Sequence, residues 1–581
     1  MLLLGVLMGL VVLWLRLVQL QVIGHDRFRV LSYFNYRTHV PIPAERGRIY
    51  DRKGEILAIS VPGRSVFANP AEISDFAATA SALAAITGVE QAQLHQLFLA
   101  FPEKHFVWVK RLVTPAEQAA VRAARIRGVY LREEPQRFYP NGSLAAQVLG
   151  FTGIDGDGLA GVESAMDARL AGIDGYREEG RDGLARSICS PSAVFIPAVN
   201  GHSVVLTIDT NIQDFLETAV ERCNQQYAPL SVTGIVMDPN TGDILALAER
   251  PTFDPNSYAD SDKETWRLRA VTDTFEPGSM FKPFVFSGAL QERVVSLDET
   301  IFCGNGIYRV GARTLHDHHP YGNLTGEDIV VKSSNIGMAK VGQRLGAFKA
   351  YAFLSAFGFG RPTGVGFPGE SAGYLAPPQR WTDYTVTSVP MGHEVSVTPL
   401  QVVAAFSAIA NGGYLVKPRI VRGVISPEGN VLEKHTEGEI LSQVLDAETA
   451  RTMTKRVLRN VVKRGTGRLA DIEEYELAGK TGTAQKLVNG VYSHTKYVSS
   501  FVAAGPVQDP KLVVLIVVDE PSRGASLFGG TVAAPHCAEV LKATLDYMYI
   551  DSRRRSPTVR LVSAEKIPAR PDSPREVRRA P

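Results

Sequence analysis

The sequence predicts a multidomain α+β chain with a membrane helix first, a mixed helix and strand region next, and last a domain built on an antiparallel sheet. Three observations predict it. Met1 to Leu15 is an unbroken apolar run. At 581 residues the chain is too long for one ordinary domain and suits two or three. Near the C-terminus, Tyr475 to Gly479, Ser499 to Gly505 and Leu512 to Val518 alternate with turn residues as the strands of a β meander do.

The N-terminal run sets location. It continues through Val22 only by including Arg16, Gln19 and Gln21, so it spans a bilayer if Arg16 reaches an interface. A cleaved signal peptide is disfavoured, because the run has no basic n-region and no small-x-small cleavage site. We read residues 1–23 as a transmembrane anchor. No basic residue precedes it, as the positive-inside rule would require, and a native start upstream is therefore expected.

Composition adds mainly exclusions. A hydrophobic content of 45% and a charged content of 21% are those of a globular protein. Lys+Arg 62 against Asp+Glu 60 leaves +2, so no nucleic acid or other polyanion partner is implied. Cys189, Cys223, Cys303 and Cys537 have no close spacing and read as free or incidental rather than as a metal clamp.

Residues 24–195 mix helix and strand patterns, among them the alanine-rich Phe76 to Ala85 and Pro115 to Arg125, and contain no nucleophile constellation. Residues 200–550 form the second domain. A strand pair is expected around Gly234 to Asp238 and Gly242 to Ala248, and a final helix near Val532 to Tyr547 packs on the same sheet. Residues 551–581, with Arg553 to Arg555 and the prolines 557, 568, 571 and 574 among others, read as a disordered basic tail.

Three motifs in the second domain carry chemistry: Ser279-Met280-Phe281-Lys282, Ser333-Ser334-Asn335 and Lys480-Thr481-Gly482-Thr483. The bare Ser-x-x-Lys pattern recurs at Ser493 to Lys496 and Ser563 to Lys566, so the weight lies in the ordered triple. A serine hydroxyl needs a neighbouring base to become a nucleophile, and a spacing of three puts Lys282 on the helix face of Ser279. Glu276-Pro277-Gly278 opens that helix, whose positive end favours negative charge developing at Ser279. Lys282 acts as a base only when neutral, which burial or a nearby cation such as Lys480 would achieve. Ser333 and Asn335 stand on a loop or first turn before the helical pattern of Ile336 to Leu345. Lys480, Thr481 and Thr483 on a sheet edge suit a carboxylate, and Gly482 lets a substrate backbone approach. His316-Asp317-His318-His319 lies on a Pro- and Gly-flanked loop that is expected to border a substrate groove, with no metal site. His393-Glu394 is read as mainly structural near the same cleft.

The ordered triple resembles the active site of penicillin-binding proteins and serine β-lactamases. Ala270 to Ser279, Val397 to Gln401, Gly465 to Gly467 and Leu206 to Asp209 resemble the division-type class B penicillin-binding proteins in particular. Arg46 to Gly54 resembles the first signature of that class's non-catalytic domain, and Gly161 to Glu163 with Leu170 to Gly172 its second. The resemblance covers roughly residues 15–545. One departure is Leu268-Arg269-Ala270, where relatives often carry Asn-Arg-Ala.

The resemblance implies an elongated α+β pedestal and a serine β-lactamase-like transpeptidase domain whose antiparallel sheet is flanked by helices. It implies a D,D-transpeptidase that cross-links peptidoglycan stem peptides ending in D-Ala-D-Ala, is acylated by β-lactams and needs no cofactor. Ser279 would be the acylated nucleophile, Lys282 its base, Ser333 the proton relay and Asn335 the ligand of the substrate amide. Lys480, Thr481, Gly482 and Thr483 would hold the terminal carboxylate and substrate backbone. The backbone N–H groups of Ser279 and Thr483 would form the oxyanion hole. The class also implies a single-pass protein of the bacterial cytoplasmic membrane, catalytic side outward, working with a membrane glycosyltransferase and other division proteins. An elongation-type enzyme, a D,D-carboxypeptidase, a β-lactamase, a β-lactam sensor and a non-catalytic division scaffold are the alternatives.

Overall fold

A computed structural model describes residues 2–27, 37–181, 187–188, 194–488 and 490–554. Cys189, Asn489 and residues 555–581 of the expected tail lie outside the described residues. At the N-terminus the helix Leu2–Val18 continues as a π-helical turn, Gln19–Ile23. At 1.5 Å per residue these two pieces extend roughly 33 Å, enough for a bilayer core. Arg16 turns its guanidinium to Gln19 Oε1 at 2.8 Å, and the apolar side chains from Leu3 to Ile23 have no protein cover.

The chain forms two compact units that do not follow chain order. One is drawn from residues 1–47, 60–136 and 168–202, the other from 48–59, 137–167 and 203–581. In the first, the helix Phe76–Thr87 starts at Asp75, whose side chain accepts from Ala78 N, and stops at Gly88 with a left-handed φ of 71°. The helix Pro115–Ala124 opens on a capping box formed by Thr114 and Glu117. The helix Gln91–Ala100 brings Leu94 and Phe98 into one apolar core with Leu83, Val66, Ala68 and Val107. Elsewhere in this unit Arg37–Ile42 pairs antiparallel with Gly175–Arg181.

The second unit is organised by a five-stranded sheet in the order Ile244–Arg250, Ser231–Met237, Leu512–Asp519, Val491–Gly505, Ala478–Val488. Of the three inner strands, Ser231–Met237 and Leu512–Asp519 are buried along almost their whole length, which explains their apolar character, and Val491–Gly505 is buried over its second half. The helices Thr210–Tyr227 and Ala534–Arg554 cover one face, with Ile212, Leu216, Val220 and Leu541 packed on Val232, Val514 and Ile516. Truncating one such buried leucine to alanine costs about 2–5 kcal/mol. Against the sheet's other face lies Pro399–Ala410, a helix buried at every position. The final helix runs past the expected Tyr547 to Arg554, and Tyr547 has a partner here: its hydroxyl meets Asp209 Oδ1 at 3.0 Å and Asn211 Nδ2 at 2.9 Å. Asp51 accepts from Thr210 Oγ1 at 2.8 Å, so residues near the first class signature and the Leu206 to Asp209 segment meet in one polar node.

Candidate active site

Ser279 lies in a single 3-10 turn, Gly278–Phe281, that leads directly into the helix Lys282–Gln291. The segment before it is tied down twice. Phe275 and Val397 exchange backbone hydrogen bonds of 3.0 Å in both directions, and Gly278 N donates to Gly392 O at 3.2 Å. The helix itself is buried from Lys282 through Ala289, which carries Lys282 into the interior, 0% exposed, while Ser279 keeps partial access.

Lys282 Nζ contacts Ser333 O at 2.6 Å, Ser333 Oγ at 3.2 Å and Asn335 Oδ1 at 2.8 Å. Lys480, also 0% exposed, reaches Ser333 Oγ at 3.0 Å and Thr481 O at 3.0 Å. Ser333 Oγ therefore stands between two buried amines. Burial pushes Lys282 down to about 7, with the Asp317 carboxylate opposing, and it pushes Lys480 well below the ordinary lysine range, with Lys282 adding to the effect. At neutral pH a large share of Lys282 is a free amine, the state that can take a proton. No hydrogen bond joins Ser279 Oγ to Lys282 Nζ among the described residues.

Ser333 has φ of 60°, a left-handed conformation that costs an L-residue with a side chain about 1 kcal/mol or more. Neighbouring bonds hold it there: Ser333 N donates to Val330 O, and Ser334 N to Ile329 O. The helix Asn335–Leu345 then begins, with Ser334 as its N-cap.

Lys480 to Thr483 lie on Ala478–Val488, which is the edge strand of the sheet, as the meander pattern predicts. Gly482 is required by close approach. A Cβ there would strike Ser500 Oγ and approach Met280 Cγ to 2.7 Å. Gly529 is pressed in the same way against the carbonyls of Gly482 and Ser500, and Gly392 against the backbone of Gly278. Thr483 Oγ1 accepts from Gly529 N at 3.1 Å, and Thr481 Oγ1 meets Thr466 Oγ1 at 2.7 Å. The segment Gly465 to Gly467 thus backs the lysine motif.

Two family models match the chain: "Penicillin binding protein transpeptidase domain" over residues 232–542 and "Penicillin-binding Protein dimerisation domain" over residues 41–206. The chain belongs to the class B penicillin-binding proteins. It is 33% identical over 544 residues to stage V sporulation protein D of Bacillus subtilis, covering 93% of this chain and 84% of the relative. Peptidoglycan D,D-transpeptidase FtsI of Escherichia coli is 31% identical over 553 residues, 94% of this chain and 91% of the relative. Among solved structures, penicillin-binding protein 3 of Mycobacterium tuberculosis complexed with aztreonam superposes with a TM-score of 0.69 at 30% identity, covering 88% of this chain and 98% of that one.

Several supports of this class B site are not evident from the motifs. Leu268 occupies an N-cap position without a side-chain bond, and the first N–H groups of its short helix, Arg269 N and Ala270 N, donate instead to the buried Glu249 carboxylate at 3.0 and 2.7 Å. Burial raises Glu249 to about 8 despite those bonds. Glu276 accepts from Glu394 N and Tyr492 Oη and pairs with His393 Nδ1 at 3.0 Å. Glu276 and Glu394 line a cleft of about 430 Å³ with Tyr374, Arg380, Thr385 and Ser396. In the His316–His319 loop, His318 lies edge-on to Phe528 and His319 to Tyr321. Among the described residues no group of three His, Cys, Asp or Glu side chains converges as metal ligands.

Proposed function

We propose that this chain is a serine D,D-transpeptidase in which Ser279 attacks the carbonyl of the penultimate D-alanine of a stem peptide. The reading rests above all on the pair of buried lysines that meet at Ser333 Oγ, both pushed below the ordinary lysine range by burial. Lys282 takes the Ser279 proton as the C–O bond forms. The oxyanion of the tetrahedral intermediate is received by the Ser279 and Thr483 N–H groups. As the peptide C–N bond breaks, the proton passes through Ser333 to the departing amine of D-alanine. Asn335 holds the substrate amide, and Lys480 with Thr481 and Thr483 the terminal carboxylate, whose charge favours the protonated form of Lys480. The amine of a second stem peptide then displaces Ser279.

A β-lactam presents its strained amide to the same serine and leaves an acyl-enzyme. The relatives support this chemistry: the Escherichia coli relative is named a D,D-transpeptidase, and the Mycobacterium tuberculosis neighbour holds aztreonam. Likeness to the former favours a role in septal wall synthesis, beside a membrane glycosyltransferase and other division proteins. The apolar Leu2–Ile23 segment would anchor the chain in the cytoplasmic membrane with the catalytic unit outside.

The test uses the full chain in detergent micelles with a fluorescent penicillin, then a stem peptide with and without an acceptor amine. Wild type should carry a stable label that Ser279→Ala loses entirely, and should form acceptor-linked product. An unlabelled, folded wild type defeats the reading, and labelled enzyme that releases only hydrolysed peptide makes it a carboxypeptidase.

A further inference from the structure

The loop that follows the strand Arg313–His316 places a carboxylate at the N-terminus of the Asn335–Leu345 helix. Asp317 Oδ1 accepts from Asn335 N and from Ile336 N, the latter at 3.1 Å, and Asp317 Oδ2 accepts from Ser334 Oγ at 2.6 Å. Ser334 Oγ in turn accepts from Gly337 N at 2.9 Å, and Met338 N donates to Ser334 O. The helix's initial N–H groups are thus satisfied by one residue from a distant loop and one local cap. From the same loop, His316 O accepts from Asn335 Nδ2 at 3.1 Å, while Asn335 Oδ1 faces Lys282. Each bond fixes the turn at the point where Ser333 holds its left-handed φ.

We propose that Asp317 is a positioning residue of the acyl-transfer site, which locks Ser333 and Asn335 onto Lys282 and sets its own negative charge beside that buried amine. The assignment rests on the roles given above to Ser279 and Lys282. Its geometric part comes from the three bonds to residues 334–336. Its electrostatic part has a definite sign: the Asp317 carboxylate favours the protonated lysine and works against burial. Two other titratable groups face Lys282. Lys480 comes from the edge strand and His318 from the Asp317 loop, and both are shifted down, by burial first and by the Lys282 charge second. Asp317 is the group that opposes them.

The experiment measures second-order acylation of the full chain in micelles by a fluorescent penicillin between about pH 5 and 9, for wild type, Asp317→Asn and Asp317→Ala. Asparagine keeps an acceptor for the backbone N–H groups and loses the charge. Its acid limb should move about half a pH unit or more downward, so that at pH 6 it reaches about threefold more of its own plateau than wild type does. Alanine should show the same movement, and its plateau should drop tenfold or more because the turn is released. A role confined to folding would lower the plateau and leave the midpoint in place. Superimposed acid limbs for wild type and Asp317→Asn overturn the proposal, as does a wild-type plateau and midpoint in a folded Asp317→Ala. If Asp317→Ala does not fold, the asparagine variant decides alone. A wild type that takes no label overturns this assignment together with the acyl-enzyme reading, whereas labelled wild type with unmoved limbs overturns this assignment only.

Discussion

Around Phe98 the first unit packs Leu83, Leu94, Val66 and Val107, apolar side chains that cannot ionise. Around Lys282 the second unit buries two lysines against a half-buried serine of unfavourable φ and a half-buried asparagine, with Phe281, Phe284 and Phe286 on the same helix and its lead-in turn. The contrast teaches what each interior is for. The first gains from every methylene removed from water. The second gives up some of that gain to keep an amine in the form that can accept a proton, since a desolvated ammonium is costly and burial therefore selects the neutral state.

The sharpest break of this comparison exchanges the two behaviours. Lys282→Met keeps the buried stem and removes the base, so acylation by a fluorescent penicillin should fall about ten-thousandfold or below detection. Thermal unfolding of the same variant should change by no more than about 1 kcal/mol, because an apolar side chain replaces a desolvated polar one. Loss of folding with activity in the remaining folded fraction would reverse the argument. Phe98→Ala is the converse. Hydrogen exchange across residues 76–131 should report a loss of about 3–5 kcal/mol of protection, while acylation per folded molecule stays within about twofold. The smallest effect sharpens the electrostatic side. With Lys282 at about 7, wild-type acylation should rise through neutral pH and level above it. Below about pH 6 it should fall roughly tenfold per unit, since protonated lysine cannot accept the serine proton. A midpoint near the ordinary lysine value would mean that the site is wetter than its burial indicates.

What the chain discloses by itself follows from how local each signal is. The apolar runs of 234–238 and 512–518, the alanine-rich helices after Asp75 and Thr114, and the polar Ser333 turn ahead of an amphipathic segment are statements about near neighbours, and they are legible. So is the placement of Lys480 on a terminal strand, because the meander ends there. Asp317 is not. Partners for a helix's first N–H groups are sought within a few residues of its start, whereas this carboxylate arrives from 17 residues before Ser334, with the strand Asn323–Thr325 and the helix Gly326–Val331 between them. Reading the histidines beside it as the point of interest hid the aspartate between them. Glu249 is hidden in the same way: it sits on a strand that reads simply as buried sheet, and only the fold brings it to Arg269 and Ala270 some 20 residues on. The interleaving of the two units is also invisible locally. Residues 48–59 and 137–167 carry no change of composition to mark them.

The glycines packed beneath the nucleophile bear on evolution under antibiotic pressure. An added Cβ would collide with backbone at Gly392 and Gly529 and with the Ser500 and Met280 side chains at Gly482. A lineage selected to escape a covalent inhibitor is therefore barred from the floor of its own binding site. The changes open to it lie on the rim, where Thr483, Phe528 and Tyr497 retain exposed surface. Resistance in such a protein is a negotiation over who is admitted at the edge, since the centre cannot be redrawn.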